Sequence, residues 1–384
     1  MKAAFSLVII ALLTAFGCVG EADRTYAHYV IDNTGSTPFA VVDSLFELTL
    51  IPLSRQVADQ MGDYPIYIRE HAGNYIIVDR LAGVSCVSGL GELVWHLDDR
   101  YLEPSENSPI RYAHLNAFTG KLEISGGKDF SLRVIDLAGN YVETSPLPQQ
   151  HDNAAVIGPD TRLLETSGYA IDPAEGKSGY YRLGLAVGED LRYGLEVTPV
   201  PPATQRHYYF DHTLFRWRDS LFYTRPLLNT LYRVDTSERR LLPCLSWEFA
   251  RGQAASNPFE DRKVEDAFTF ISDRNLALPR WVAGDEALLF INYDLDYQNY
   301  LTAVRSGTTL FNTGYLEIDG TLVPAPSLHV NGLMAAVYPR DLHELLQSVR
   351  ERPVEAWRGM LQRYFSQESA PRSAAMLAIM RVKF

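Results

Sequence analysis

An all-β fold, a six-bladed β-propeller with a short C-terminal helical segment before a closing strand, is what this 384-residue sequence predicts. Three observations point to it. Short apolar runs alternate between Gly, Asn, Asp and Pro turns, the pattern of half-buried strands joined by hairpins. The four-strand unit recurs loosely at roughly 40 to 50 residues, which is propeller spacing. The chain ends on an apolar run, Met376 to Phe384. A ring of sheets needs a strand from the far end of the chain there, to pair into the last blade and remove its exposed edges.

The clearest unit opens at Tyr64. Pro65 to Arg69 is a strand, Ala72-Gly73-Asn74 a tight turn, and Tyr75 to Asp79 the second strand. Leu81 to Cys86 holds the third strand, Gly89-Leu90-Gly91 turns the chain, and Glu92 to Leu97 is the fourth. Arg111 to Ser145 repeats the plan, with Asp136-Leu137-Ala138-Gly139-Asn140 as a strong turn. Ala154 to Val200 is a third unit, with a Gly- and charge-rich insertion from Asp172 to Gly179. His212 to Trp247 is a fourth and Phe268 to Phe311 a fifth, while Tyr315 to Val337 supplies part of a sixth.

The chain then changes period. Leu342, Leu345, Leu346 and Val349 have helical spacing, and Pro353 opens a second amphipathic stretch through Phe365. The segments are residues 1–17 as an export signal, 18–35 as an acylated cysteine and tether, 36–340 as propeller, 341–372 as the helical segment and 373–384 as the closing strand.

Composition excludes several function classes. Apolar residues are 46% and charged residues 21%, an ordinary globular balance that rules out wholesale disorder. The net charge of −12 repels phosphates, so nucleic acid and anionic lipid surfaces are poor partners. No glycine run cradles a phosphate and no Gly-x-Ser-x-Gly elbow appears. The sequence therefore predicts no cofactor.

Met1-Lys2 followed by an uncharged apolar stretch from Ala3 to Phe16 has the length of a secretory signal and is short for a membrane span. Ala15 and Gly17 fit a signal-peptidase site, while Gly17-Cys18 is the core of a lipobox, with Ala15 where Leu is usual and a bulky Phe16. A lone cysteine directly after such a segment favours acylation of Cys18, and several acyl chains anchor stably because each buried CH₂ contributes about 0.8 kcal/mol. Cys86 and Cys244 are either a disulfide in an oxidising compartment or two small buried residues.

Leu48 to Leu53 followed by Tyr67-Ile68-Arg69 and Tyr75 to Asp79, then Phe222-Tyr223-Thr224-Arg225-Pro226 with Asn229 to Val234, and finally Met376 to Phe384 resemble the six-bladed β-propeller lipoproteins of Bacteroidota, in the style of NHL-type propellers. The resemblance covers most of the chain after the tether. It implies architecture and an outer-membrane lipoprotein on the periplasmic or surface face, and it implies no activity. Asp98-Asp99-Arg100 stands where the family has a Gly-Pro-Gly-Glu-like turn, which touches the shape of that loop only.

Candidate chemistry is sparse. On a strand, His207 and Asp211 share a face and His212 points away, so a metal or acid–base site there needs partners from elsewhere in the chain. The ordinary reading is a strand with polar ends. Asp294 and Asp296 also share a face, near Asn292 and Asn299, and clustered oxygens suit a hard cation. No known calcium-loop spacing is present, and the ordinary reading is a solvated strand face, so no metal is assigned. Trp95, Trp217, Trp247 and Trp281 are candidates for stacking on a sugar or partner against the plainer role of packing blades together. His207, Asp211, Asp294 and Asp296 are accordingly the ligand-facing candidates. The expected function is an envelope-anchored module binding a protein or glycan and touching the membrane through its N-terminal lipid only. The alternative is a propeller hydrolase or lyase with a channel-mouth site gathered from several blades.

Overall fold

The computed structural model describes residues 26–34, 39–62, 64–97, 109–126, 131–147, 151, 153–172, 179–195, 213–217, 219–225, 229–252, 277–284, 287–295, 298–330, 332–350, 352–366 and 375–383. The chain opens with β1 (Ala27–Ile31), β2 (Ala40–Val41) and β3 (Phe46–Leu53), then a short helix, Arg55–Gln60, capped by the Ser54 hydroxyl. The first blade is β4 (Pro65–His71), β5 (Asn74–Asp79), β6 (Gly83–Ser88) and β7 (Leu93–Leu97). The second is β8 (Ile110–Asn116), β9 (Lys121–Gly126), β10 (Leu132–Ile135) and β11 (Tyr141–Ser145). The third is β12 (Asn153–Val156), β13 (Thr161–Asp172), β14 (Gly179–Val187) and β15 (Asp190–Leu195). The fourth is β16 (Leu214–Trp217), β17 (Ser220–Arg225), β18 (Thr230–Asp235) and β19 (Arg240–Phe249), and the fifth is β20 (Leu278–Gly284), β21 (Leu288–Leu295), β22 (Gln298–Arg305) and β23 (Thr308–Thr313).

The fold is an all-β propeller, but it has seven sheets where the sequence predicts six blades. The difference lies in Tyr315 to Val337, read from sequence as one incomplete unit. Asp319 (φ 48°) and Gly320 (φ 74°) close β24 (Tyr315–Ile318) and β25 (Thr321–Pro324) into a tight hairpin, the geometry of a two-residue primed turn. Prolines at 324 and 326 end it. This hairpin takes β2 as a third, parallel strand and forms a small sheet of its own. The closing blade is then β26 (Leu328–Val330), β27 (Leu333–Pro339), β28 (Ala375–Val382) and β3. Innermost strands β4, β8, β12, β16, β20 and β26 touch in that order and β26 returns to β4. The small sheet lies outside this ring, with β2 and β24 against β23 and β3, and β25 against β27 and the helix Arg340–Val349.

Both chain ends lock the closing blade. β28 pairs antiparallel with β27 on one side and β3 on the other, with Leu377 opposite Ile51 and Arg381 opposite Glu47. Gly91 seats β3 against the first blade: its φ is 84°, and a Cβ there would fall 1.9 Å from the Pro52 carbonyl oxygen. β1 falls within the range read as tether, yet it is a strand, added parallel to β19 on the outer edge of the fourth blade. Residues 27–53 thus strap the fourth blade, the small sheet and the closing blade together.

The core is a set of seams between blades. Val78, Val84, Ile124 and Ile135 fill the first–second seam, and Leu132, Ala154 and Leu164 the second–third seam. Leu163, Leu183, Leu214 and Leu221 fill the third–fourth, and Ile51, Leu377 and Ile68 the closing–first. Each such Leu or Ile contributes about 1.5–3 kcal/mol when fully buried, and no single sheet has this burial alone. At the axis the His329 ring of β26 lies 5.2 Å from Trp281 of β20, 5.9 Å from Trp217 and 6.2 Å from Phe215 of β16. β16 and β26 are not neighbours in the ring, so these side chains meet across the axis and fill it there. The helices Arg340–Val349 and Val354–Ser366 cover the small sheet, burying Leu342, Leu346 and Trp357, whose indole stacks on Phe39 at 5.2 Å. No helix among the described residues is long and apolar enough to cross a membrane.

Cys86 and Cys244 lie in the first and fourth blades and do not form a disulfide, the Cys244 thiol donating to the Leu242 carbonyl at 3.3 Å. Burial pushes the Cys86 thiol up. Alkylation followed by mass mapping is expected to modify Cys86 only in denaturant, and rapid modification in native buffer would contradict this packing.

Candidate functional site

The two ends of the ring differ in kind. In each of the first five blades the outermost strand ends where the next innermost strand begins. The connections across 98–108, 196–212 and 253–276 therefore start and finish at one end, here termed the top. The bottom carries tight turns such as Ala72-Gly73 between β4 and β5 and Ser306-Gly307 between β22 and β23.

Near the top, the seam between the third and fourth blades is polar. Glu165 of β13 accepts a hydrogen bond from the Thr213 hydroxyl, and Asn153 Nδ2 donates to the same hydroxyl at 3.2 Å. Tyr223 of β17 is fully buried, and the charges of Glu165 and Arg182 both act on its phenol. Burial above all, and then the Glu165 charge, push its pKa well up, against the opposing pull of Arg182. The set is a carboxylate, a guanidinium and a neutral phenol on three strands of two blades, able to accept, orient and donate a proton. Along the ring, the Tyr112 ring lies 5.0 Å from His151 and 5.5 Å from His114.

The second–third seam holds a stronger charge pair. Arg162 of β13 donates from Nε to Glu123 Oε2 at 2.7 Å and from a terminal nitrogen to Oε1 at 2.6 Å, a bidentate contact with both residues buried. Asn116 Nδ2 is a third donor to the carboxylate, to Oε1 at 2.7 Å, and also donates to the Pro159 carbonyl at 2.9 Å. This pair floors a cleft of about 200 Å³ whose rim carries Lys121, Glu143, Asp160 and Glu189.

Tyr67 is also buried, its hydroxyl accepting from the Leu115 amide at 3.0 Å, and burial pushes its pKa up to about 12. The folded state therefore keeps a proton that the unfolded chain loses near pH 10. Its contribution is full below about pH 10 and is lost as pH rises toward about 12, worth up to roughly 3 kcal/mol. Urea midpoints followed upward from about pH 9 are expected to fall, and to fall less steeply in Tyr67→Phe. Equal slopes would contradict the assignment.

Of the residues singled out from sequence, Cys18, His207, Asp211 and Asp296 lie outside the described residues. Asp294 is on β21, where it accepts from Arg280 Nε at 2.6 Å and from Asn299 Nδ2 at 3.2 Å. Asn292 and Asn299 bond reciprocally, Nδ2 to Oδ1, at 2.9 and 3.1 Å. These oxygens are thus taken up within the fifth blade, and among the described residues no three His, Cys, Asp or Glu converge to hold a metal. Trp217 and Trp281 are buried against His329 at the axis, Trp247 is buried in the fourth blade, and Trp95 is half-buried beneath Gly139, so all four are taken up in packing. Sequence reasoning missed Glu123, Arg162, Glu165 and Arg182. Their signal was a charge set inside an otherwise apolar strand, as in Leu122-Glu123-Ile124 and Tyr181-Arg182-Leu183.

No family model and no curated protein matches the chain. Among solved structures, a protein of Bacteroides fragilis inferred to be exported is similar over 93% of this chain and 100% of its own, at 13% identity and a TM-score of 0.62. A member of the DUF4221 family from Bacteroides vulgatus covers 89% of this chain and 99% of its own, at 8% identity and a TM-score of 0.45. At this identity the first likeness shows the fold alone.

Proposed function

We propose that this chain is an exported, lipid-anchored propeller lipoprotein of the outer membrane that binds a protein or a glycan at the top of its ring. The observation that carries the reading is the buried polar seam around Glu165 near the top of the ring, the end at which the described strands flanking 98–108, 196–212 and 253–276 stop and start. Loops positioned by a rigid frame are where recognition concentrates. The export signal and Cys18 support the compartment, as does the likeness in fold to a Bacteroides protein inferred to be exported.

A photo-cross-linker placed at Tyr64, on the top, is expected to capture one discrete envelope partner or glycan, and the same group at Thr119, on the bottom, is not. Capture of that species from Thr119 alone would overturn the assignment. Metabolic labelling with a palmitate analogue is expected to tag the wild type and not Cys18→Ala.

The Glu165, Arg182 and Tyr223 set favours a second reading, a hydrolase or lyase working from the same seam. Turnover of any ester or glycoside substrate by the wild type that is lost in Glu165→Gln, with the fold retained, would replace the binding reading with this one.

A further inference from the structure

β1 runs parallel to β19, with Ala27 opposite Leu245 and Ile31 opposite Phe249. β19 leaves its hairpin turn at the bottom and runs to the top, so β1 also climbs from bottom to top, with Tyr26 before its lower end. Seven residues lie between Cys18 and Tyr26, eight steps along the chain. Even fully extended they span about 29 Å at ~3.6 Å per residue, so an acylated Cys18 holds the outer edge of the fourth blade close to the bilayer.

A second observation comes from the bottom itself. Leu90, at the turn between β6 and β7, is 83% exposed, and Phe118, at the turn between β8 and β9, is 57% exposed. Val94 and Tyr141, at the bottom starts of β7 and β11, are 51% and 40% exposed. These residues belong to neighbouring blades that pack tightly here, since a Cβ on Gly139 would fall 2.6 Å from the Trp95 ring. Large apolar and aromatic side chains on turn tips gain about 1.5–3 kcal/mol each on leaving water, and a membrane interface accepts them.

We infer that the bottom of the ring is its membrane-facing side. Leu90 and Phe118 dip into the bilayer interface, the acyl chains hold the rim of the fourth blade, and the top points away from the membrane. This rests on the lipid-anchor reading above. It adds a contact between protein and bilayer that the lipid alone does not provide.

The test uses the full lipidated protein in phosphatidylcholine vesicles that contain lipid-borne spin-label quenchers. A fluorophore is attached at Thr119→Cys or at Tyr64→Cys, each in a Cys244→Ser background. Quenching at position 119 is expected to exceed that at position 64 several-fold, and Leu90→Asp is expected to reduce it. Equal or reversed quenching in protein whose Cys18 carries acyl label would overturn the orientation and leave the anchor standing. Absence of acyl label on Cys18 would remove the anchor and the orientation with it.

Discussion

Glu123→Ala is expected to destabilise the fold by about 3–5 kcal/mol, read as the shift in a urea unfolding midpoint. Glu123 is 2% exposed and its partner Arg162 is 7% exposed. The guanidinium is held by both carboxylate oxygens at 2.7 and 2.6 Å. Truncating Glu123 leaves the Arg162 cation in the second–third seam without its bidentate partner and with only the charge of Asp160 acting on it, and leaves Asn116 without one of its two acceptors. Arg162→Ala should cost a similar amount, because the carboxylate is then the stranded charge. Replacing both, as Glu123→Leu with Arg162→Met, should recover most of the loss, since apolar groups of like volume often match a buried ion pair. The large coupling in that double-mutant cycle is the diagnostic result. A change below about 1 kcal/mol for Glu123→Ala would match an exposed pair and contradict the burial described.

Ending the chain at Ser366, which removes β28, is expected to abolish cooperative unfolding altogether. The strand is buried without interruption from Ala375 to Met380. It supplies the ladder on one side to β27 and on the other to β3. Without it both strands present unpaired backbone groups to an emptied gap, and the closing–first seam loses Leu377 and Ile379. A synthetic peptide covering residues 371–384, added in trans, should restore a single thermal transition. The point variant Leu377→Ala should cost about 2–5 kcal/mol as a cavity in that seam. A truncated chain that melts cooperatively at the wild-type temperature would show that the ring does not depend on its last strand.

Strands whose partners are close in sequence were legible from alternation alone. Tyr75 to Asp79, Phe215 to Tyr223 and Thr230 to Asp235 sit in the hairpins their turns announce. β1 was not legible, although Ala27–Ile31 alternates, because its partner lies 218 residues away and pairs in parallel. No local turn signals such a contact. The division of Tyr315 to Val337 between two sheets was written in Asp319-Gly320 and the prolines that follow, but the third strand of the small sheet is the two-residue β2, too short to carry a period. The candidate site was least legible. Clustered polar residues such as those at 207–212 draw the eye in a sequence, whereas Glu123 and Arg162 are single charges 39 positions apart that only the packing of two blades brings together. Glu165, Arg182 and Tyr223 are likewise isolated until the third and fourth blades meet.

The closed ring depends most on a strand from each end of the chain, β3 and β28, lying side by side in one blade. Cysteines at Glu47→Cys and Arg381→Cys occupy directly paired positions of β3 and β28. Opposed antiparallel Cα atoms stand about 4.5 or 5.5 Å apart, within disulfide range. Mild oxidation of the folded protein should link them in high yield, give a faster-migrating monomer without reductant, and raise stability by as much as about 5 kcal/mol through closure of nearly the whole chain. Failure to link these two positions in protein that is otherwise folded, with Cys86 still protected, would contradict the closed ring.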